Sequence, residues 1–144
     1  MDWNKPFEVI DLTPHSDERG TLFEIIRFKD LDIPCGGQIY TFSIMPGKRR
    51  GDHYHLHKME WFTCAYGEAI ILLTTMDGIN TAYKISDKEP KLIFAGPGTS
   101  HALINTGTIP AIIVSYGSTQ HSDEDPDTFH FRTYPDFDNT ILAK

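Results

Sequence analysis

The chain has 144 residues, enough for one domain with a full hydrophobic core, in which roughly 70% of the unfolded surface can be buried. Hydrophobic residues make up 40% and charged residues 23%, as in ordinary soluble domains, and the formal net charge is -7. That acidic balance excludes the electrostatic footprint of a general nucleic-acid or membrane-surface binder, while the local cluster Lys48-Arg49-Arg50 leaves room for an anionic small ligand.

Taken from the N-terminus, Met1-Asp-Trp-Asn-Lys-Pro6 carries no apolar leader, and no stretch approaches the ~20 apolar residues of a membrane span. The expected address is cytoplasmic. Nine Phe and six Tyr against two Trp favour strands. Short runs predict strands at Phe7–Leu12, Thr21–Phe28, Gln38–Met45, Asp52–Leu56, Trp61–Tyr66, Glu68–Thr75, Ile79–Ser86, Lys91–Phe94, His101–Asn105 and Ala111–Ser115. Between them stand Asp17-Glu-Arg-Gly20, Pro46-Gly47, Asp77-Gly78, Gly96-Pro-Gly98 and Thr106-Gly107, and Asp77-Gly78 is a hairpin signal. Gln120–Asp127 is acidic and polar and reads as a loop or one helical turn. No run reads as a long amphipathic helix. Many short strands without one suggest an all-β jelly roll that hides its edges, a single domain over residues 1–144.

Two cysteines, Cys35 and Cys64, form no C-x-x-C pair, which argues against a zinc ribbon or a thioredoxin-like site. Cys64 lies in an apolar run and is expected to be a buried small hydrophobe. Cys35, in Ile33-Pro-Cys-Gly-Gly37, is given no role.

The chemistry concentrates between residues 47 and 67. His53, His55 and His57 share parity, so all three could face one way on a continued strand. Lys58-Met59 is expected to be a turn that brings Glu60 onto the next strand beside them, with Phe62 and Cys64 on the same inward face. His101 arrives from a later strand, and strands distant in sequence converge inside a barrel. His53, His55, Glu60 and His101 thus offer three imidazoles and a carboxylate to a borderline divalent metal.

Gly47-x5-His53-x-His55-x4-Glu60-x6-Gly67 resembles the first cupin motif at every fixed position, and Gly98-x2-His101-x3-Asn105 resembles the second. The second departs in one respect: Gly96 stands where a proline is usual, with Pro97 one place late. The resemblance implies a cupin double-stranded β-helix in which His53, His55, Glu60 and His101 hold a metal, most often Zn, with Fe, Mn, Ni or Cu in other cupins.

A finer resemblance spans residues 15 to 131. Asp17-Glu-Arg-Gly-Thr-Leu-Phe23-Glu24 and Arg50-Gly51-x-His53 are similar to the dTDP-4-dehydrorhamnose 3,5-epimerase branch. Gly51-Asp-His-Tyr-His55, Lys58-x-Glu60 and Asp125-Pro-Asp-Thr-Phe129 look like the C-terminal cupin domain of bifunctional capsule enzymes acting on UDP-4-keto sugars, which carries zinc. Metal-free dTDP-sugar 3,4-ketoisomerases share the Arg-Gly-x-His-x-His segment and use both histidines as bases.

These relatives imply an epimerase or isomerase of a UDP- or dTDP-linked 4-keto hexose in cell-surface polysaccharide synthesis. The shared step removes a proton next to a ketone, for which a histidine near neutral pKa is a suitable base. If the quartet binds metal, the base must come from His57, Tyr40, Tyr54, Tyr116 or His121. If it does not, His53 and His55 serve. The family pattern points Gln38, Tyr40 and Phe42 inward. Arg19, Arg27, Lys48, Arg49 and Arg50 are candidates for the diphosphate, with Arg19 reaching a partner subunit's nucleotide in a homodimer formed by exchange of N-terminal strands. The alternatives are a metal-dependent dehydratase or oxygenase, and a non-catalytic sugar-binding cupin.

Overall fold

The computed structural model describes residues 2–33 and 36–137. Cys35 lies outside them. The strands are β1 (Phe7–Asp11), β2 (His15–Asp17), β3 (Gly20–Leu22), β4 (Gln38–Ile44), β5 (Arg49–Tyr54), β6 (Glu60–Tyr66), β7 (Glu68–Thr74), β8 (Asn80–Ser86), β9 (Lys91–Ala95), β10 (Ser100–Ile104), β11 (Ala111–Gly117) and β12 (Phe129–His130), with a 3-10 turn at Phe28–Asp30. Among the described residues no helix is long and apolar enough to cross a membrane.

Two five-stranded antiparallel sheets run in the orders β1-β9-β6-β11-β4 and β12-β5-β10-β7-β8, and β2-β3 forms a separate hairpin. This is the expected all-β jelly roll. Sequence neighbours repeatedly change sheet, and the β6–β7 corner turns on Gly67 alone. Its φ is +79, and a Cβ there would stand 2.9 Å from the Pro110 carbonyl oxygen, so a glycine is required.

Between the sheets lie Phe62, Cys64, Ile71, Leu73, Ile85, Ile93, Leu103 and Ile113, all buried. The outer faces are covered as well. Trp3, Ile10, Leu12, Ile25 and Ile26 pack on Trp61, Phe94 and Tyr116 of the first sheet, and Tyr134 and Phe137 cover Ile70, Leu72 and Ala102 of the second. Burial on both faces explains why Ala69-Ile-Ile-Leu-Leu73 is continuously apolar instead of alternating.

The same covering accounts for a difference from the sequence reading. The predicted strand Thr21–Phe28 survives only as Gly20–Leu22. Ile25 and Ile26 are adjacent, so a strand would send them to opposite faces. Here both pack on the outer face of the first sheet, and the chain leaves the ladder to put them there. Asp77-Gly78 does lie in the β7–β8 hairpin, closed by Thr75 N–H to Ile79 O at 3.0 Å. Gln120–Asp127 contains no helix.

A candidate metal centre inside the barrel

β5 begins three residues before the predicted start and ends at Tyr54. Its register against β10 slips between His101 and Ala102, opposite Gly51 and Asp52. Both residues sit at positive φ, +99 and +61. A Cβ on Gly51 would come within 2.8 Å of the His101 carbonyl oxygen, so only glycine lets the strands close at the bulge. Asp52 is held there by Arg49 at 2.6 and 2.7 Å and by the Thr133 amide at 3.0 Å. The bulge sets His53 directly opposite His101.

His55 follows the end of β5, and Glu60 opens β6 in the other sheet. One ligand atom from each of His53, His55, Glu60 and His101 lies within 4.8 Å of all the others. The ring centroids of His53 and His101 are 4.8 Å apart, and those of His53 and His55 5.1 Å apart. His55, Glu60 and His101 are buried. His53 is half-buried and marks the accessible side.

The hydrogen bonds show whether these donors suit a cation. His55 Nδ1 lies 2.6 Å from the Asp127 carbonyl oxygen. A carbonyl only accepts, so Nδ1 carries a proton, and in a neutral ring Nε2 then presents a bare lone pair. That lone pair faces Glu60 Oε1 in direct contact. Among the described residues neither atom has a hydrogen-bond partner, nor does His101 Nδ1, although all are buried. Buried acceptors facing one another need a positive charge between them, a proton or a metal ion. Three imidazoles and one carboxylate are a donor set for a borderline divalent metal, and the residues fit it.

Burial holds the His101 imidazole down at about 4 and also lowers His53, so both rings are neutral at pH 7. Burial alone would raise Glu60, but positive charge on the His55 and His101 side and the Tyr40 hydroxyl outweigh this and hold the carboxyl at about 2.

Tyr40 on β4 donates its hydroxyl to Glu60 Oε2. Burial, then the Glu60 charge, push the phenol well above its ordinary value, so it stays protonated. Gln38 belongs to the same half-buried row, and its Oε1 accepts the His121 amide at 3.0 Å. Arg50 is exposed, with its guanidinium carbon 5.4 Å from the Phe42 ring centre.

The other sequence candidates take these places in the described structure. Tyr116 pairs with Trp61 on the opposite face of the first sheet and donates to the Gly36 carbonyl. Alternation along β11 puts Ser115 inward and Tyr116 outward. His57 is exposed in the β5–β6 turn, because the chain leaves the strand after Tyr54. Tyr54 stacks on Phe129 with centroids 5.4 Å apart. His121 pairs with Asp123 at 2.9 Å, and Lys48 is exposed. Arg19 pairs with Asp17 on the β2–β3 hairpin, and Arg27 with Glu24, both at 2.5 Å.

The sequence reading passed over Asp52 and the Asp127 side chain. No local spacing marks Asp127, because its partners are some seventy residues away. Glycine followed by a short acidic residue at 51–52 was a usable sign of a bulge.

A barrel of this topology with three histidines and a glutamate converging inside it is a cupin. The model of the polysaccharide biosynthesis C-terminal domain family matches residues 15–129, and the chain belongs to that family. It is 29% identical over 120 residues to a UDP-2-acetamido-2,6-beta-L-arabino-hexul-4-ose reductase of Pseudomonas aeruginosa, an alignment covering 83% of this chain and 31% of that protein. The chain therefore spans under a third of that relative. It is 24% identical over 126 residues to the spore coat polysaccharide biosynthesis protein SpsL of Bacillus subtilis, covering 83% of each. Among solved structures, a dTDP sugar isomerase from Desulfovibrio desulfuricans shares the fold with a TM-score of 0.81 at 14% identity, over 95% of this chain and 92% of that one.

Proposed function

We propose that this chain is a cupin enzyme that epimerises or isomerises a 4-keto hexose linked to UDP or dTDP, in cell-surface polysaccharide synthesis. One observation carries the reading: His53, His55, Glu60 and His101 meet at one inward-facing spot with the Tyr40 phenol hydrogen-bonded to the carboxylate. The family match and the polysaccharide relatives support a substrate drawn from polysaccharide synthesis.

A divalent metal, zinc in this reading, held by the quartet would act as a Lewis acid that polarises the ketone. Burial strengthens every charge interaction in the site. Tyr40, held neutral and oriented by Glu60, is the proton donor on the accessible side. Gln38 and Arg50 line the approach, with Arg50 suited to a phosphate oxygen. In this reading the cupin domain acts as a homodimer in the cytoplasm.

A second, metal-free reading also has an observation behind it: a shared proton would equally close the contact between His55 Nε2 and Glu60 Oε1. His53, neutral through burial and the most open of the quartet, then serves as the base.

The test is incubation with UDP- and dTDP-linked 4-keto hexoses in deuterated water, before and after chelation. Deuterium entering next to the ketone supports the proposal, and dependence on restored metal separates the two readings. No exchange with any of these substrates, together with no thermal stabilisation by UDP or dTDP, would overturn it.

A further inference from the structure

His55 and Glu60 flank the short turn Leu56–Met59, and their convergence depends on the shape of that turn. Three successive backbone amides in it point at one side chain. Asp127 Oδ1 accepts the Leu56 amide at 2.8 Å, and Oδ2 accepts those of His57 and Lys58, each at 3.0 Å. The carbonyl of the same residue accepts His55 Nδ1–H at 2.6 Å. Asp127 makes these contacts from a left-handed backbone conformation, with φ at +46. The chain on its C-terminal side is fixed to β5: Phe129 and His130 pair with Tyr54 and His53, and the Phe131 amide bonds to Asp52 O at 2.9 Å. At the far end of the turn, Met59 N–H donates to Ser118 Oγ at 2.9 Å, and Ser118 N–H to Met59 O at 2.9 Å.

From this geometry we propose that Asp127 is a positioning residue of the site: its carboxylate locks the β5–β6 turn, so that its own carbonyl fixes His55 as the Nδ1–H tautomer and aims Nε2 at the cluster. An imidazole is useful here only if Nε2 is bare, and the partner at the other ring nitrogen decides that. The side chain acts through the turn and touches no reacting atom. The Asp125-Pro126-Asp127 run gains a specific role: Asp127 caps the turn, while Asp125 makes no side-chain hydrogen bond to a described residue.

The inference draws on the metal reading only for one of its two readouts. Imidazole nitrogen NMR on chelated protein is expected to show His55 as a single Nδ1–H tautomer in the wild type, a mixture in Asp127→Ala, and an intermediate state in Asp127→Asn, which keeps one acceptor oxygen. Titration with Co(II) is expected to give affinity lower by roughly 10- to 100-fold for Asp127→Ala, with Asp125→Asn unchanged. Loosening of the loop alone would lower the melting temperature without moving the tautomer. A folded Asp127→Ala protein with the wild-type tautomer overturns the proposal. If that variant does not fold, the wild-type tautomer in Asp127→Asn does so. If the wild type takes up no Co(II), the metal reading fails separately, and the tautomer comparison alone decides the role of Asp127.

Discussion

His55 Nε2 and Glu60 Oε1 face each other in contact from opposite ends of a short turn, both buried and neither with a hydrogen-bond partner among the described residues. Two lone pairs so placed repel unless a positive charge lies between them. The rest of the site follows from that requirement: His53 and His101 add two more donors from the second sheet, and Tyr40 satisfies the other carboxylate oxygen.

Removing His101 takes away a donor and leaves an apolar gap beside Phe62, whose ring centre is 5.0 Å from that of the imidazole. His101→Ala is expected to fold but to lose metal affinity by more than about 100-fold, beyond the usual cost of losing an outer hydrogen-bond partner. Elemental analysis of protein purified without added metal checks this. Equal, stoichiometric metal in both proteins would contradict the proposed ligand set.

Tyr40→Phe deletes one hydroxyl and leaves the ring stacked near Phe42, at a centroid distance of 6.1 Å. Deuterium wash-in is expected to slow by roughly 10²- to 10⁴-fold, the range for loss of a general acid, while nucleotide binding persists. Wash-in at the wild-type rate would remove Tyr40 from the chemistry.

Gly51→Ala forces a Cβ to within 2.8 Å of the His101 carbonyl oxygen at a φ of +99. Destabilisation of about 1–3 kcal/mol is expected from the strained backbone, more if the strands must separate. Urea denaturation measures it. The same variant is expected to bind metal more weakly, because the bulge sets His53 opposite His101.

Acid should destabilise the metal-free protein well above the usual carboxylate range. His101 is held at about 4, against 6.5 for the free side chain. Between those values the unfolded chain binds a proton that the folded chain refuses, so stability falls as pH drops from 6.5 towards 4, by about 1.4 kcal/mol per pH unit for one such group. His53, also lowered, adds in the same direction. Glu60 contributes stability present above 4.5 and lost as pH falls towards 2. Denaturant midpoints measured from pH 7 to 4 check the sign, and a flat profile would refute it.

Of the four proposed ligands, His53, His55 and Glu60 were legible from local spacing and strand parity, and His101 from the resemblance of Gly98-x2-His101-x3-Asn105 to the second cupin motif. His53 and His55 are one residue apart, Glu60 opens the next strand, and both motifs carry the glycines their turns need. Most strand positions were legible for the same reason, since alternation and turn residues are short-range signals. Parity also carried a warning about Tyr116: Ser115 and Tyr116 cannot both face inward, and the register with Phe62 and Trp61 decides which does.

What the tertiary structure alone decided depends on contacts made across long sequence separations. Ile25 and Ile26 leave the β3 ladder to cover an outer sheet face, and a segment cannot declare which surface will need covering. Asp127 finds its three amides some seventy residues back along the chain, and the proton on His55 is set by that residue's carbonyl. Spacing along the chain specifies which side chains share a strand face. Which lone pair is left bare at the site depends on hydrogen bonds that only the folded chain can close.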